Sequence, residues 1–259
     1  HRAGLGVDAL DRRVESDVRA PHRVGERLGH RLDAAASGIE EAGGRATGIT
    51  LADGRFIGAD KAVIANVAPS ALLRLTGGSG DARHDKAMKT FQHAPGTMMI
   101  HLAMDSLPDW RAGDELKHFA YVHIAPTLEM MDLAYTQAKA GLLPAEPVIV
   151  CGQPTALDPS RTPEGKHVLW LQVRMVPAAI RGDAAGQIGS DNWEAVKDIY
   201  AERVIDIMEH HAPSLREKII GKAVVSPLDL ETMNPNLVGG DQISGSHHLS
   251  QNFLFRPVA

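Results

Sequence analysis

The chain has 259 residues, with 27 Lys and Arg against 32 Asp and Glu, a formal charge of −5 that excludes a basic nucleic-acid-binding stripe. A hydrophobic share of 44% beside 23% charged residues describes a globular chain with enough apolar side chains for one large or two modest cores. The single cysteine, Cys151, excludes an internal disulfide and a cysteine metal cluster, and no apolar run nears the ~20 residues of a membrane-spanning helix. The expectation is a protein of a reducing compartment, the cytoplasm, without a transmembrane segment.

Residues 1–42 are rich in Arg, Asp, His and Ala, with neither a 3.6 nor a 2.0 period, and read as an irregular or partly disordered N-terminal arm. A weak basic helix over Val18–Leu32 is the most it offers. This arm opens without Met and without a signal peptide's apolar stretch, so the chain reads as a fragment.

From residue 43 the pattern sharpens. RATGITLADGRFIGADKAVIAN spells strand, Asp53-Gly54 turn, strand, then a buried strand Ala62–Ala65. Pro69 starts a short helix, Ser70–Leu75, and Gly77-Gly78 stops it. Residues 43–80 form the first segment.

Residues 81–226 read as a second domain. Gly96–Met104 is a strand holding His101, which is expected to be structural. Lys117–His123 is a short strand ended by Pro126. Thr127 caps a helix running to Ala140, with Leu128, Met131, Tyr135 and Ala138 on one face. Met130 and Met131 beside Tyr135 are candidates to line an apolar cavity, with core packing as the alternative. Val148–Gly152 and His167–Val173 are neighbouring antiparallel strands, and Cys151 in the first is a small buried hydrophobe. Asp191–Ala212 is the clearest helix, with Asp191 and Glu194 as a capping box and a stripe through Trp193, Val196, Tyr200, Val204, Ile207 and His211. Glu209-His210-His211 lacks the i, i+4 spacing of a helical zinc site, so no metal is expected. Ile219–Val225 is the last strand. The fold class is therefore α+β, a mixed, largely antiparallel sheet with packed helices.

Residues 227–259 are rich in Gly and His and lack regular periodicity. No GxGxxG after a strand, no P-loop and no GxSxG elbow occurs in the chain. On residue type alone, Gly239 and Gly240 permit φ > 0 or a close backbone approach, and a plain surface loop is the commoner use of such a segment.

The runs PLDLE and NPNLVGGDQISG, then Gln251 and FRP, resemble the late substrate-domain segment of the phytoene dehydrogenase-related FAD-dependent oxidoreductases. The resemblance implies the substrate domain of a two-domain flavoprotein, with the β-meander of 43–80 belonging to the FAD domain and 227–259 leading toward a flavin motif beyond Ala259. It implies FAD as cofactor, held incompletely because both family motifs are lacking here, and an apolar, isoprenoid or lipid-like substrate undergoing flavin-mediated hydrogen transfer at C–C bonds. By the same resemblance Ala65, Asn66, Gly239, Gly240, Asp241, Gln251 and Arg256 are expected at the cofactor. The resemblance also implies a polar contact from Gln242 and places His247 or His248 at the site as the acid/base candidate, with solvated loop histidines as the alternative. The alternative is a non-catalytic binding or assembly module of the same fold. The isolated chain is expected to be inactive and to self-associate through an exposed apolar face.

Overall fold

The computed structural model describes residues 34–252, so Val18–Leu32 and Arg256 lie outside the described residues. Two compact units divide the chain at 93/94 and 243/244. These boundaries differ from the sequence segments at 80/81 and 226/227.

The smaller unit, 34–93 with 244–252, is built on a three-stranded antiparallel meander, β1 (Ala36–Ala42), β2 (Arg45–Leu51) and β3 (Phe56–Gly58). Strand β1 corrects the reading of 1–42 as irregular throughout. The hairpin partners Ala42 and Arg45 enclose Gly43 and Gly44, at φ 60° and 73°. A two-residue turn that matches strand twist needs both central residues at positive φ, which glycine adopts without a Cβ penalty. At the second turn the Asp53 carboxylate accepts the Arg55 backbone N–H at 3.0 Å, and Gly54 has φ 83°.

Ala62–Ala65 is not a strand. No strand pairs with it among the described residues, and Ile64 is 93% exposed. An apolar run of that length becomes a strand only where a neighbour supplies its hydrogen bonds. Helix α1 (Pro69–Thr76) follows, ended by Gly77 at φ 70°. The unexpected α2 (Ala82–Lys89) is capped by Asp81, whose carboxylate accepts the N–H groups of Arg83 and His84.

In the larger unit, 94–243, β4 (Gly96–Met104), β5 (Tyr121–Ile124), β7 (Val148–Gly152), β8 (His167–Val176) and β10 (Ile219–Val225) form one antiparallel sheet. Its order is β10-β4-β8-β7-β5. Between them lie α3 (Leu128–Lys139) and the two-residue parallel pair β6 (Leu142–Leu143) and β9 (Gly182–Asp183). Helices α4 (Trp193–His211), α5 (Leu215–Lys218) and α6 (Pro227–Met233) complete the unit. The α+β class and the largely antiparallel sheet are as expected.

Strand β5 starts four residues later than expected, because Asp114–His118 closes a 3-10 turn first. Leu128 is 77% exposed; Ala134 and Ala138 form the buried side of α3 instead. The cap of α4 is Asn192, whose side chain accepts the Glu194 N–H, rather than Asp191.

The core lies where alternate residues of the sheet meet α4. Met98, Ile100 and Leu102 of β4, Leu169, Leu171 and Val173 of β8, and Ile149 and Cys151 of β7 pack with Val196, Tyr200, Val204 and Met208. All are buried, and each large aliphatic among them contributes about 1.5–3 kcal/mol through lost apolar surface. Burial pushes the Cys151 thiol up to about 12, so it is an inert core group, as expected.

One ion pair ties this core to the β6–β9 pair. Arg203 forks onto Asp183, with Nη1 2.7 Å from Oδ1 and Nη2 2.6 Å from Oδ2, and lies 5.2 Å from the Tyr200 ring centre. The Asp183 side chain has no exposed surface. Burial raises its carboxyl pKa, but the Arg203 hydrogen bonds, the Gln187 and Ile188 N–H groups and the guanidinium charge outweigh that and hold it at about 2. Because the folded value lies below the ordinary 3.8, this stabilisation is complete above that pH and is lost as pH falls toward about 2. Asp183→Asn strands a nearly buried guanidinium and is expected to cost about 3–5 kcal/mol in urea unfolding at neutral pH. A loss within experimental error would show that the pair does not anchor β9.

Candidate functional site

Strand alternation gives the five-stranded sheet a second face, opposite α4. Register places Ala223, His101, Trp170, Gly152 and Tyr121 in one row across all five strands. The adjacent row holds Val225, Met99, Gln172, Val150 and His123, and the next holds Thr97, Arg174 and Val148. The sequence HVLWLQVRMV accounts for this: Leu169, Leu171 and Val173 turn to the core, so Trp170, Gln172 and Arg174 turn away and are half-buried.

Trp170 lies over Gly152, where a Cβ would sit 2.2 Å from the indole. It meets Tyr121 edge-on at 5.3 Å. Any side chain at position 152 would displace the ring, so glycine there is required by packing. His101 is on the same face, and burial lowers its pKa below 6.5, favouring the neutral imidazole.

The 239–242 loop is fastened to the margin of this sheet. A Cβ on Gly96, the first residue of β4, would sit 2.3 Å from the Gly239 carbonyl oxygen. Gly239 and Gly240 have φ 63° and 76°, and a Cβ on Gly240 would lie 2.6 Å from Pro227. The need for glycine at both positions is thus met by backbone shape and by this chain's own packing. Asp241 is fully buried, and its carboxylate accepts the N–H groups of Ala94 at 3.1 Å and Ile243 at 2.9 Å. Gln242 reaches the sheet face, where its Oε1 accepts Gln172 Nε2 at 2.5 Å. Gln172 Oε1 in turn accepts Arg174 Nε at 2.9 Å.

The other expected site residues belong to the smaller unit. Ala65 and Asn66 are exposed on an irregular segment, and His247 and His248 are exposed. Gln251 is buried and works as a backbone clamp: its Oε1 accepts the Gln92 N–H and its Nε2 donates to the Gln92 carbonyl, both at 2.7 Å. Sequence reasoning missed Trp170, Gln172 and Arg174, although the alternation of β8 carries the signal.

Met130 and Met131 do line a cavity, with Ile124, Val148 and Ile207 and with Glu146 and His211 at its wall. Tyr135 is not among its lining residues. Its volume of about 50 Å³ is far below the ~300 Å³ or more of a ligand pocket, so it does not hold a substrate of isoprenoid size.

No family model matches the chain. It is 30% identical over 226 residues to the mouse (Mus musculus) pyridine nucleotide-disulfide oxidoreductase domain-containing protein 2, covering 83% of this chain and 37% of that protein. Over 256 residues it is 25% identical to the phytoene dehydrogenase of Streptomyces griseus, covering 97% and 44%. Among solved structures it is similar to reduced UDP-galactopyranose mutase, with 16% identity, a TM-score of 0.47, and coverage of 82% of this chain and 40% of that one. The chain thus spans about two fifths of the length of these curated relatives.

The flavin implied by the sequence resemblance would need its pyrophosphate held by a strand, a glycine turn and a helix N-terminus. This sequence has no such motif, and the segment 62–66 meant to lie at a strand end is exposed and irregular. Among the described residues no strand, glycine turn and helix N-terminus of that kind stand together.

His101, His167 and His211 all have pKa values lowered by burial. With folded values below the ordinary 6.5, the unfolded chain binds more protons, so stability falls as pH drops below about 6.5. His101→Gln is expected to make that fall shallower in urea titrations at a series of pH values. An unchanged slope would mean that His101 is not held neutral on the sheet face.

Proposed function

We propose that the chain, which belongs to the FAD-dependent oxidoreductases, supplies the substrate-binding part of an enzyme of the phytoene dehydrogenase-related kind. The observation that carries this reading is the second sheet face, where Trp170, Met99, His101 and Tyr121 sit side by side. An apolar substrate lies along these two adjacent rows, and the 239–242 loop marks one margin. Trp170 provides a flat apolar surface, with its indole held in place by Gly152 and Tyr121. His101, favoured in its neutral form, offers a polar atom that adds no charge to the apolar surroundings.

A flavin held by a longer protein would supply the hydrogen transfer, chemistry for which this chain's own side chains are not suited. Gly239, Gly240 and Asp241 in the larger unit, and Ala65, Asn66 and Gln251 in the smaller one, are carried forward as its contacts from the resemblance, as is Arg256. Asp241 serves by fixing the loop. His247 or His248 remains the acid/base candidate, because both are exposed to a partner or ligand. The exposure of Ile64 supports a surface completed by chain beyond these residues, and self-association through such apolar side chains belongs to the same reading.

Two measurements on the purified chain test this. After incubation with FAD and gel filtration, the protein is expected to carry no stoichiometric yellow flavin band. Titration with decanol is expected to change tryptophan fluorescence, and Trp170→Phe is expected to remove the change while the far-ultraviolet circular dichroism stays the same. A stoichiometric flavin would overturn the assignment to the substrate side, and a silent titration would overturn the assignment of the sheet face.

A further inference from the structure

We propose that Arg174 is a carboxylate anchor, and that the molecule lying on the sheet face is an apolar chain ending in a carboxylate. This rests on the reading of that face as the substrate surface and goes on to name the substrate's head group.

Arg174 sits on the central strand β8, between Thr97 of β4 and Val148 of β7. It is half-buried, yet no Asp or Glu among the described residues lies within ion-pair distance of it. Every other arginine that the larger unit buries to a comparable degree and ties into its packing, Arg203 and Arg216, has at least one carboxylate partner. A guanidinium withdrawn from water without a counter-charge is costly, and its neighbours gain if an anion arrives.

Orientation strengthens the assignment. Gln172 takes the Arg174 Nε–H, and Gln172 is itself held by Gln242 of the 239–242 loop. With Nε engaged, the two Nη groups remain as a parallel pair of donors, the edge that receives both oxygens of one carboxylate. The backbone next to it is strained. Between Gly96/Val176 and Thr97/Arg174 the register slips, leaving Met175 as the extra residue of a bulge, with φ 61°. A non-glycine residue in that region costs about 1 kcal/mol or more, and bulges re-aim the side chain beside them. Here that side chain is Arg174. Trp170, two positions from Gln172 on the same face, supplies the apolar floor beyond the charged end.

The test is isothermal titration of the 259-residue chain with decanoate, decanol and decyl phosphate, repeated on Arg174→Gln and Arg174→Lys. A charged hydrogen-bonded head predicts that decanoate binds about tenfold or more tightly than decanol. Arg174→Gln is expected to abolish that preference with decanol binding unchanged, and Arg174→Lys to keep only part of it. Equal binding of decanoate and decanol to the unaltered chain, which needs no variant to fold, overturns the anchor while leaving the apolar face in place. A preference that survives in both variants overturns the assignment to Arg174. Tighter binding of decyl phosphate than decanoate overturns the carboxylate in favour of a phosphate head. If none of the three binds, the anchor and the substrate face fall together.

Discussion

The larger unit depends on one contact, the stripe of α4 laid across a single face of the five-stranded sheet. That contact buries Met98, Ile100, Leu169, Leu171, Ile149 and Cys151 together with Val196, Tyr200, Val204 and Met208. Because strand side chains alternate, satisfying this face fixes every other residue on the opposite one. Trp170, Gln172 and Arg174 are not brought together by any attraction among themselves. They share a face because Leu169, Leu171 and Val173 must share the other.

The same constraint explains how much of the molecule could be read from its sequence. Strands β4, β7 and β10 and helix α4 carry their apolar pattern openly and lie where the periodicity puts them, while β8 runs to Val176, three residues past the expected Val173. Strand β1 was hidden because SGIEEA contains few apolar residues, and the signal that identifies it is the Gly43-Gly44 turn beyond its end. Ala62–Ala65 failed in the opposite sense: its composition suits a strand, but strandness is a property of a pair, and no partner strand stands beside it among the described residues. Leu128 misled for a related reason, since helix α3 turns its alanines inward and the sequence gives no hint of how close the sheet lies.

For the site, residue type was a weaker guide than context. The conspicuous groups of the 239–251 segment have mostly structural employment: Gly240 fits against Pro227, Asp241 binds loop N–H groups, and Gln251 clamps Gln92. The side chains with chemistry to spare lie in an ordinary-looking strand. A glutamine and an arginine two residues apart are unremarkable until register shows which face they occupy and that Gln242 reaches the glutamine.

Cys151 gives the chain a built-in clock. It is the sole thiol of the sequence, fully buried on β7 between the sheet and α4, with an ionisation suppressed by that burial. A thiol-specific label therefore reaches it only when strands and helix separate. The rate of labelling counts openings of the core, with no introduced probe and no competing site, and so distinguishes movements of the exposed loops from loss of the scaffold that carries the second sheet face.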